Sequence, residues 1–322
     1  MFKLILFIKC SGPKDPIFIF SRSGNLPQLL TRSEPISLSI VIVNWNTRSL
    51  LSECLKSICE FSPSCAFEII IVDNASADGS SEMVRDAFPN CTLIASKTNL
   101  GYAKANNLGI EKAQGELILT LNPDTQLIDD SLDRCIAFMD QNIRAGAAAA
   151  RLLNADGSVQ QSVRNFPTLP NILFEIIGLA KLFPKSRLFG NYRCGWLDYA
   201  KTQQVEQPMG TFLLFRKAVL DQIGLFDEAF PIFFNEVDLL RRMKNHGFEI
   251  WLCADASIRH LGGASTRQVR KNMIWESHKS LMRYLKRWCL RWWNAPLLWA
   301  LNGIIWLGAF VRARGVYAGF RP

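Results

Sequence analysis

From residue 38 to residue 121 the chain alternates short apolar runs with amphipathic stretches in strict succession. The first runs are β-branched and lack polar alternation, which is typical of strands buried on both faces of a parallel sheet. The predicted strands lie at 38–43, 68–72, 91–96 and 116–121, and the predicted helices at 48–59, 80–88 and 103–113. This alternation implies right-handed βαβ crossovers. It predicts an α/β fold with a mainly parallel, Rossmann-like sheet and helices on both faces.

The second half of the chain is less regular. A helix is predicted at 131–141, followed by a small apolar stretch at 145–153 and a hairpin turn at 154–157. Residues 166–199 contain three prolines and mixed aromatics, which predicts an irregular, mobile insertion over the site. Further strands are predicted at 207–215 and 249–253, and further helices at 217–223 and 233–242.

These patterns divide the 322 residues into three parts. Residues 1–36 contain prolines without a helical or alternating period, which predicts an irregular N-terminal extension. Residues 37–270 form the predicted α/β domain, with halves at 37–130 and 131–270, and residues 271–322 form a helical tail. The nine cysteines are scattered without a C-x-x-C pair, which argues against a disulfide framework or zinc ribbon and favours a reducing compartment.

The formal net charge of +9 is concentrated in the tail. Residues 271–322 contain nine basic side chains and one acid, whereas the first 270 residues contain 28 basic and 27 acidic side chains. A nearly neutral first part without an aromatic and basic recognition motif argues against nucleic acid as a partner.

Polar clusters follow three of the predicted strands at the point where each strand ends. They are Asn44-Trp45-Asn46, Asp73-Asn74-Ala75-Ser76 and Asn122-Pro123-Asp124-Thr125. In open sheets of this type, ligands bind beyond the carboxyl ends of the strands. The sequence therefore predicts a ligand site at this edge of the sheet.

Seven motifs in order resemble the family 2 inverting glycosyltransferases, in the rhamnosyltransferase-like branch that builds bacterial surface polysaccharides. They read IVIVNWN, IIIVDNASADGS, NLGYAKANNLGI, LILTLNPDT, GTFLLF, FFNEVDLLRR and IRHLGGAST. The resemblance covers roughly residues 37–270. It implies a GT-A fold, a nucleoside-diphosphate sugar donor, a saccharide or lipid-linked acceptor, and Mg²⁺ or Mn²⁺. Its preferred donor is dTDP-rhamnose.

The resemblance assigns the donor site to residues at or near the strand ends. Asp73 matches the acid that contacts the nucleotide base, although an Asx turn alone would also explain an Asp here. Asn106 matches a residue near the diphosphate, although an exposed helical Asn is an alternative. Arg267 could neutralise the leaving diphosphate or be a solvated surface residue. The expected donor-site residues are Asn44, Asn46, Asp73, Gly101, Asn106, Asn122, Gly210 and Arg267.

The metal ligands implied by the resemblance are Asp124 and His260. Mg²⁺ and Mn²⁺ commonly bind through one or two carboxylates together with substrate phosphates. The usual D-x-D of the family reads Asn122-Pro123-Asp124 here, so the first acid is missing. That departure puts the affinity and the identity of the metal in question.

Glu236 is the expected general base. In an inverting displacement, a carboxylate must lie within about 2.6 to 3.2 Å of the attacking hydroxyl. The family segment E-D-x-D reads Asn235-Glu236-Val237-Asp238 here, which keeps an acid at the position of the base. The alternative is that Glu236 and Asp238 only stabilise a helix N-terminus. Gly210 is expected to line the acceptor cleft beside Glu236.

The tail has the pattern of a membrane-associating segment. Leu281, Leu285, Trp288 and Trp292 share one face of a predicted helix whose other positions are basic, which suits an anionic membrane surface. Residues 292–311 then form a run of 20 without charge. We expect an in-plane or re-entrant anchor at the cytoplasmic face of the bacterial inner membrane. Packing as an ordinary core helix is the alternative.

Two other functions fit parts of the sequence. A sugar nucleotidyltransferase would use a related sheet, but it would need a glycine-rich, basic phosphate loop where Asn44-Trp45-Asn46 stands. A catalytically degenerate protein that binds nucleotide sugars is also open, because Asn122 and Asn235 replace familiar acids. Turnover of a nucleotide sugar separates an enzyme from a binding protein.

Overall fold

A computed structural model of the protein describes residues 35–262 and 270–314. The strands are β1 Leu38–Asn44, β2 Phe67–Asp73, β3 Thr92–Ala95, β4 Leu117–Leu121, β5 Thr125–Leu127, β6 Ala145–Leu153, β7 Val163–Arg164, β8 Gln203–Gln204, β9 Gln207–Pro208, β10 Phe212–Arg216 and β11 Glu249–His260. The helices are α1 Arg48–Glu60, α2 Ser80–Ala87, α3 Tyr102–Lys112, α4 Ser131–Gln141, α5 Leu169–Ile176, α6 Leu179–Leu182, α7 Lys217–Ile223, α8 Asn235–Asn245, α9 Arg270–Trp288 and α10 Ala295–Ala313.

Nine of these strands form one mixed sheet in the order β3-β2-β1-β4-β10-β6-β11-β5, with β8 paired to β11. The strands from β3 to β4 are parallel to their neighbours, and β6 is parallel to β11. Between these two parallel groups, β10 is antiparallel to both β4 and β6. Strands β7 and β9 form a separate antiparallel pair. The predicted α/β class is confirmed, and the antiparallel strand joins the two halves of the chain.

Alternate residues of the central strand pack against different layers of helices. Ile40 and Ile42 belong to a core cluster with Leu51 and Leu55 of α1, whereas Val41 belongs to the cluster on the other face. Successive side chains of a strand point to opposite faces, so a fully apolar strand buries both. The unbroken apolar run of β1 thus places helices on both faces of the sheet, as predicted.

Two predictions in the second half were wrong in detail. The predicted strand at 207–215 is two strands, β9 and β10, which are interrupted around Gly210. The segment 166–199 is not simply irregular, because it contains α5 and α6, and a capping box between Thr168 and Asn171 starts α5. Phe166 and Tyr192 of this segment are buried in the main core. The insertion is therefore packed against the domain through its aromatic side chains.

The C-terminal helices pack on the same core as the sheet. Leu281 and Leu285 of α9 have no exposed surface and share a core cluster with Val41. The alternative of core packing therefore holds for the inner face of α9. Helix α10 buries Leu298, Leu301 and Ile305 in that cluster.

The opposite face of α10 is apolar and exposed. Trp299 is 75% exposed and Leu307 63%, and Trp292, in the turn just before the helix, is 90% exposed. Among the described residues one helical segment, Trp292–Val311, is long and apolar enough to span a membrane. Of its apolar stretch of 18 residues, 28% is buried within the protein. The membrane prediction therefore depends on this outer face alone.

Candidate active site

The ends of β1 and β2 are joined by a buried hydrogen-bond network. Asn44 and Asp73 are register partners, and Asn44 Nδ2 donates to Asp73 Oδ1 over 2.9 Å. Asp73 Oδ2 accepts the Ser76 N–H over 3.1 Å and the Ser81 hydroxyl over 2.9 Å. The Asp73 side chain therefore does bind the backbone of the following turn, as the alternative interpretation allows, although through the N–H three residues on. Contact between Asp73 and a nucleotide base stays a prediction.

Asn46 holds the neighbouring loop in an unusual conformation. Its side-chain oxygen accepts the Ala77 N–H over 2.8 Å, and its own N–H donates to Ser76 Oγ over 2.9 Å. Asn46 and Ala75 have φ angles of 52° and 62°, in the left-handed region that non-glycine residues seldom occupy. A cavity of about 640 Å³ lies beside this loop and is lined by Asn46, Arg48 and other residues of the α1 N-terminus. Backbone strain of this kind is concentrated at functional sites.

The loop before α3 is tied to β2 by a side chain that the sequence did not single out. Asn74 Nδ2 donates to Asn99 Oδ1 over 2.9 Å and to the Gly101 carbonyl over 3.2 Å. Gly101 has φ of 81°, and a Cβ there would lie 2.9 Å from the Pro231 carbonyl oxygen. Glycine is thus required both by conformation and by the close approach of a second backbone. That approach brings the loop before α8 against the N-terminus of α3.

Tyr102 joins three parts of the site and was missed by the sequence analysis. Its hydroxyl lies 3.1 Å from both Asn122 Oδ1 and the Gly210 carbonyl oxygen. Burial, and then the charge of Glu236, raise the pKa of this hydroxyl well above its usual range. Asn106 is buried and donates to the Tyr102 carbonyl over 2.9 Å, so it is not the exposed helical Asn of the alternative interpretation. In the sequence, the i, i+4 spacing of Tyr102 and Asn106 on one predicted helix was the signal that could have indicated this contact.

Glu236 lies at the start of α8 and faces Gly210. A Cβ on Gly210 would be 3.4 Å from Glu236 Cγ, so the expected neighbourhood of these residues is present. Phe234, the residue before α8, has φ of 66°, which turns the chain sharply into the helix. Burial raises the pKa of the half-buried Glu236 carboxyl, whereas the N–H groups of Glu236 and Val237 and the charge of Arg164 lower it. Glu236 is thus an acid in the first turn of α8, and its role as the general base stays a prediction.

Asp238 does not act as a helix cap. Its fully buried carboxylate accepts from Arg242 Nε over 2.9 Å, from Arg287 Nη1 over 3.0 Å and from Trp288 Nε1 over 2.9 Å. Arg287 also contacts Asp227 at 2.5 Å. Arg287 is one of the basic residues that were expected to face a membrane. It instead links α9 to α8, the helix that contains Glu236.

Asp124 and His260 are brought together as predicted for a metal site. Asp124 Oδ1 lies 3.5 Å from His260 Nε2, and both side chains are buried. His260 Nδ1 lies 2.7 Å from Gln160 Oε1, which can only accept a hydrogen bond, so the ring proton is on Nδ1. His260 Nε2, the other ring nitrogen, faces the Asp124 carboxylate.

A divalent cation fits this arrangement. Two ligands about 2.1 Å from an octahedral ion and adjacent to each other are about 3.0 Å apart, close to the observed separation. The described residues contain no group of three or more His, Cys, Asp or Glu side chains that could hold a metal, so phosphate oxygens of a substrate would complete the coordination. Arg267 lies outside the described residues.

The sequence matches the family described as Glycosyl transferase family 2 over residues 39–224, which is more than half of the chain. The chain belongs to this family. It is therefore a glycosyltransferase, and the resemblance inferred from its motifs is confirmed.

One relative of this glycosyltransferase is the N-acetylglucosaminyl-diphospho-decaprenol L-rhamnosyltransferase of Mycobacterium tuberculosis. The two are 27% identical over 289 residues, which cover 86% of this chain and 93% of the relative. Among solved structures, a mannosyltransferase from Pyrobaculum calidifontis in complex with GDP-Man and Mn²⁺ has a TM-score of 0.54 at 15% identity, over 88% of this chain and 77% of that one. GalNAc-T7 with UDP, GalNAc and Mn²⁺ has a TM-score of 0.56 at 12% identity, over 80% of this chain and 48% of that one. These similarities support the GT-A type of fold.

Proposed function

We propose that this glycosyltransferase moves a sugar from a nucleoside-diphosphate donor to a saccharide or lipid-linked acceptor, with inversion, in the synthesis of a bacterial surface polysaccharide. The observation that carries the proposal is the carboxyl of Glu236, which faces Gly210 and has a raised pKa. The name of the mycobacterial relative supports rhamnose as the sugar and a diphospholipid-linked saccharide as the acceptor. The donor dTDP-rhamnose is implied by the resemblance of the motifs.

In the proposed reaction, Glu236 accepts the proton of the acceptor hydroxyl. The hydroxyl oxygen forms the new glycosidic bond to the anomeric carbon, and the bond from that carbon to the donor diphosphate breaks. The residues that hold the donor are Asn44, Asn46, Asp73, Gly101, Asn106, Asn122, Gly210 and Arg267. Asp124 and His260 would hold Mg²⁺ or Mn²⁺, and the neighbours solved with Mn²⁺ support such an ion. The ion would supply charge neutralisation at the leaving diphosphate.

Each half of the domain has its own part in this proposal. The half at 37–130 carries most of the donor residues, and the half at 131–270 carries Glu236 and Gly210 for the acceptor. Tyr102 links the halves because its hydroxyl reaches both Asn122 and Gly210. The exposed apolar face of α10, with Trp299 and Leu307, would lie in the plane of the inner membrane at its cytoplasmic side. That position would bring the site to a lipid-linked acceptor.

The experiment that tests the proposal replaces Glu236 by glutamine. Loss of a general base lowers the rate of transfer by about 10²- to 10⁴-fold, and binding of the nucleotide should be unchanged. Glu228→Gln is the matched control, because Glu228 is exposed and pairs only with Lys104. Transfer from dTDP-rhamnose to a lipid-linked N-acetylglucosamine is measured with Mn²⁺, together with calorimetry of dTDP binding. Near-normal transfer by Glu236→Gln would refute the role of the base.

The same assays separate an enzyme from a degenerate binding protein. Wild-type protein that binds nucleotide sugars but neither transfers nor hydrolyses any of a panel of them would favour the binding protein. The panel also tests dTDP-rhamnose against other donors.

A further inference from the structure

A second cavity lies away from the sheet edge, where three segments of the chain meet. It has a volume of about 320 Å³ and is lined mainly by apolar side chains. Pro167 and Leu169 come from the insertion, Trp288, Trp293 and Leu297 come from the tail, and Arg241 comes from α8. We call this cavity the hairpin pocket. It opens beside the exposed apolar face of α10, because Trp293 is 67% and Leu297 44% exposed.

Arg241 is the one charged side chain that lines the hairpin pocket, and it has no neutralising partner. Its guanidinium lies 5.0 Å from the ring centre of Phe166 and 6.0 Å from that of Trp288. No acidic side chain of the described residues forms a salt bridge with it, and its buried Nε has no hydrogen-bond partner. A partly buried cation without a counter-charge is costly, and a bound anion offsets that cost.

A second buried polar group near Arg241 is also unpaired. The Tyr284 hydroxyl is buried and has no hydrogen-bond partner among the described residues. The Trp288 ring lies 6.0 Å from the Arg241 guanidinium and 6.5 Å from the Tyr284 ring, so both groups are neighbours of one side chain of the pocket. Buried hydroxyl groups in folded proteins nearly always have a partner. An unpaired cation and an unpaired hydroxyl thus both neighbour Trp288, which lines this largely apolar pocket. An amphiphile with an anionic head matches both ends of this arrangement.

We propose that the hairpin pocket binds the diphosphate and the first isoprenoid carbons of a lipid-linked acceptor, with Arg241 as the phosphate ligand. The inference rests on the proposed function for the identity of the acceptor. Arg241 and Glu236 are five residues apart on α8, which corresponds to about 7.5 Å of helix rise. Five residues also turn the helix by about 140°, so the two side chains leave α8 on different faces. A bound acceptor would therefore curve along the side of α8, with the sugar hydroxyl at Glu236 and the lipid diphosphate at Arg241. Trp293 and Leu297 would contact the lipid chain as it leaves toward the membrane.

The test measures binding of farnesyl diphosphate by calorimetry, with farnesol as the uncharged probe. Arg241→Gln should weaken binding of farnesyl diphosphate by about tenfold or more, since a hydrogen bond to a charged group is lost. Lys244→Gln removes the same charge from an exposed position on the same helix and should change binding less than twofold. Equal affinities of wild type and Arg241→Gln would overturn the proposal, as would equal binding of farnesol and farnesyl diphosphate by the wild type.

A second variant keeps the test valid if Arg241→Gln fails to fold. Leu297→Glu adds a negative charge at the half-exposed mouth of the pocket and should also weaken binding of farnesyl diphosphate. Leu307→Glu is its control, because Leu307 is exposed on the same helix and does not line the pocket. Equal effects of the two variants would refute the pocket. Competition by phosphatidylglycerol as strong as by farnesyl diphosphate would assign the pocket to a membrane headgroup and overturn the acceptor.

Activity measurements distinguish this inference from the proposed function. With a lipid-linked acceptor, Arg241→Gln should raise KM about tenfold and leave kcat nearly unchanged. Transfer that proceeds with an unchanged KM in the variant would leave the proposed function standing and refute the pocket. Binding of farnesyl diphosphate that depends on Arg241, without transfer by the wild type, would support the pocket and refute the function.

Discussion

Replacing Asp238 by asparagine should destabilise the protein by about 3 kcal/mol, although Asp238 is not in the proposed catalytic machinery. The carboxylate has no exposed surface and accepts from three donors, which belong to Arg242, Arg287 and Trp288. The two carboxylate oxygens accept from different donors. Oδ2 accepts from Arg242, and Oδ1 accepts from Arg287 and Trp288. An asparagine amide in this place would direct its NH₂ group at a donor whichever way it is turned.

The magnitude depends on how exposed each partner is. A hydrogen bond to a charged group contributes about 1.5–3 kcal/mol, and breaking a buried ion pair costs about 3–5 kcal/mol. The Arg242 side chain is only 20% exposed, so water screens its ion pair with Asp238 little and most of the stabilisation is retained. Arg287 is 38% exposed and retains Asp227, so its share is small because water screens it. The lower end of the range for a buried pair, about 3 kcal/mol, is therefore expected.

Urea unfolding followed by circular dichroism gives the free energy of unfolding for the comparison. Asp227→Asn is the matched control, because it removes the other acid beside Arg287. The Asp227 side chain is 30% exposed, so its loss should lower the free energy of unfolding by less than about 1 kcal/mol. A loss below about 1 kcal/mol for Asp238→Asn would show that burial does not strengthen this contact. Equal losses of unfolding free energy in the two variants would refute the argument that the buried acid contributes more than the exposed one.

The other predictions concern pH and membranes. Burial raises the pKa of Glu236 and Arg164 lowers it, so Arg164→Gln should raise it further. A base acts when deprotonated, so the fall of kcat/KM with decreasing pH should begin at higher pH in this variant than in the wild type; an unchanged pH profile would contradict this. The double variant Trp299→Ser, Leu307→Ser should sediment less with phosphatidylglycerol vesicles, because burying each apolar side chain contributes about 1.5–3 kcal/mol. Ile143→Ser, at an 81% exposed position outside the tail, is the control, and equal sedimentation of both variants would argue against the membrane role.

Local pattern was sufficient for the first half of the fold. Strands β1 and β2 differ from the prediction by one or two residues, and α4 begins and ends as predicted, because each has a continuous apolar run or a clear helical period. The break around Gly210 has a signal in the sequence, because Pro208 and Gly210 stand within the predicted strand and both residue types interrupt strands. The sequence of the insertion, residues 166–199, has no hydrophobic periodicity. Its folded structure depends on Phe166 and Tyr192, which are buried by distant parts of the chain.

The tail shows why an amphipathic pattern is ambiguous. Leu281 and Leu285 form the same apolar stripe whether the stripe contacts lipid or a protein core. The three-dimensional structure resolves this, since the stripe of α9 is buried and the apolar outer face of α10 is exposed. Sequence alone could not distinguish the two helices.

Parts of the candidate site were within reach of the sequence and others were not. Asn44, Asp73 and Asp124 follow apolar strands, so their place at one edge followed from the fold. Asn74 pairs with Asn99, 25 residues away, and Asp238 pairs with Trp288, 50 residues away. Such pairs leave no periodic signal, so they appear only when the chain is folded.

The shared core of the sheet and the tail affects how the chain folds as it is synthesised. Val41 of β1 and Ile305 of α10 belong to one core cluster, so this core cannot close until Ile305 has left the ribosome. During synthesis the N-terminal half is complete first, while its apolar surface still lacks α9 and α10. The growing chain therefore exposes a surface that needs protection by a chaperone or a membrane, and a truncated chain ending before α9 would keep that surface exposed and aggregate.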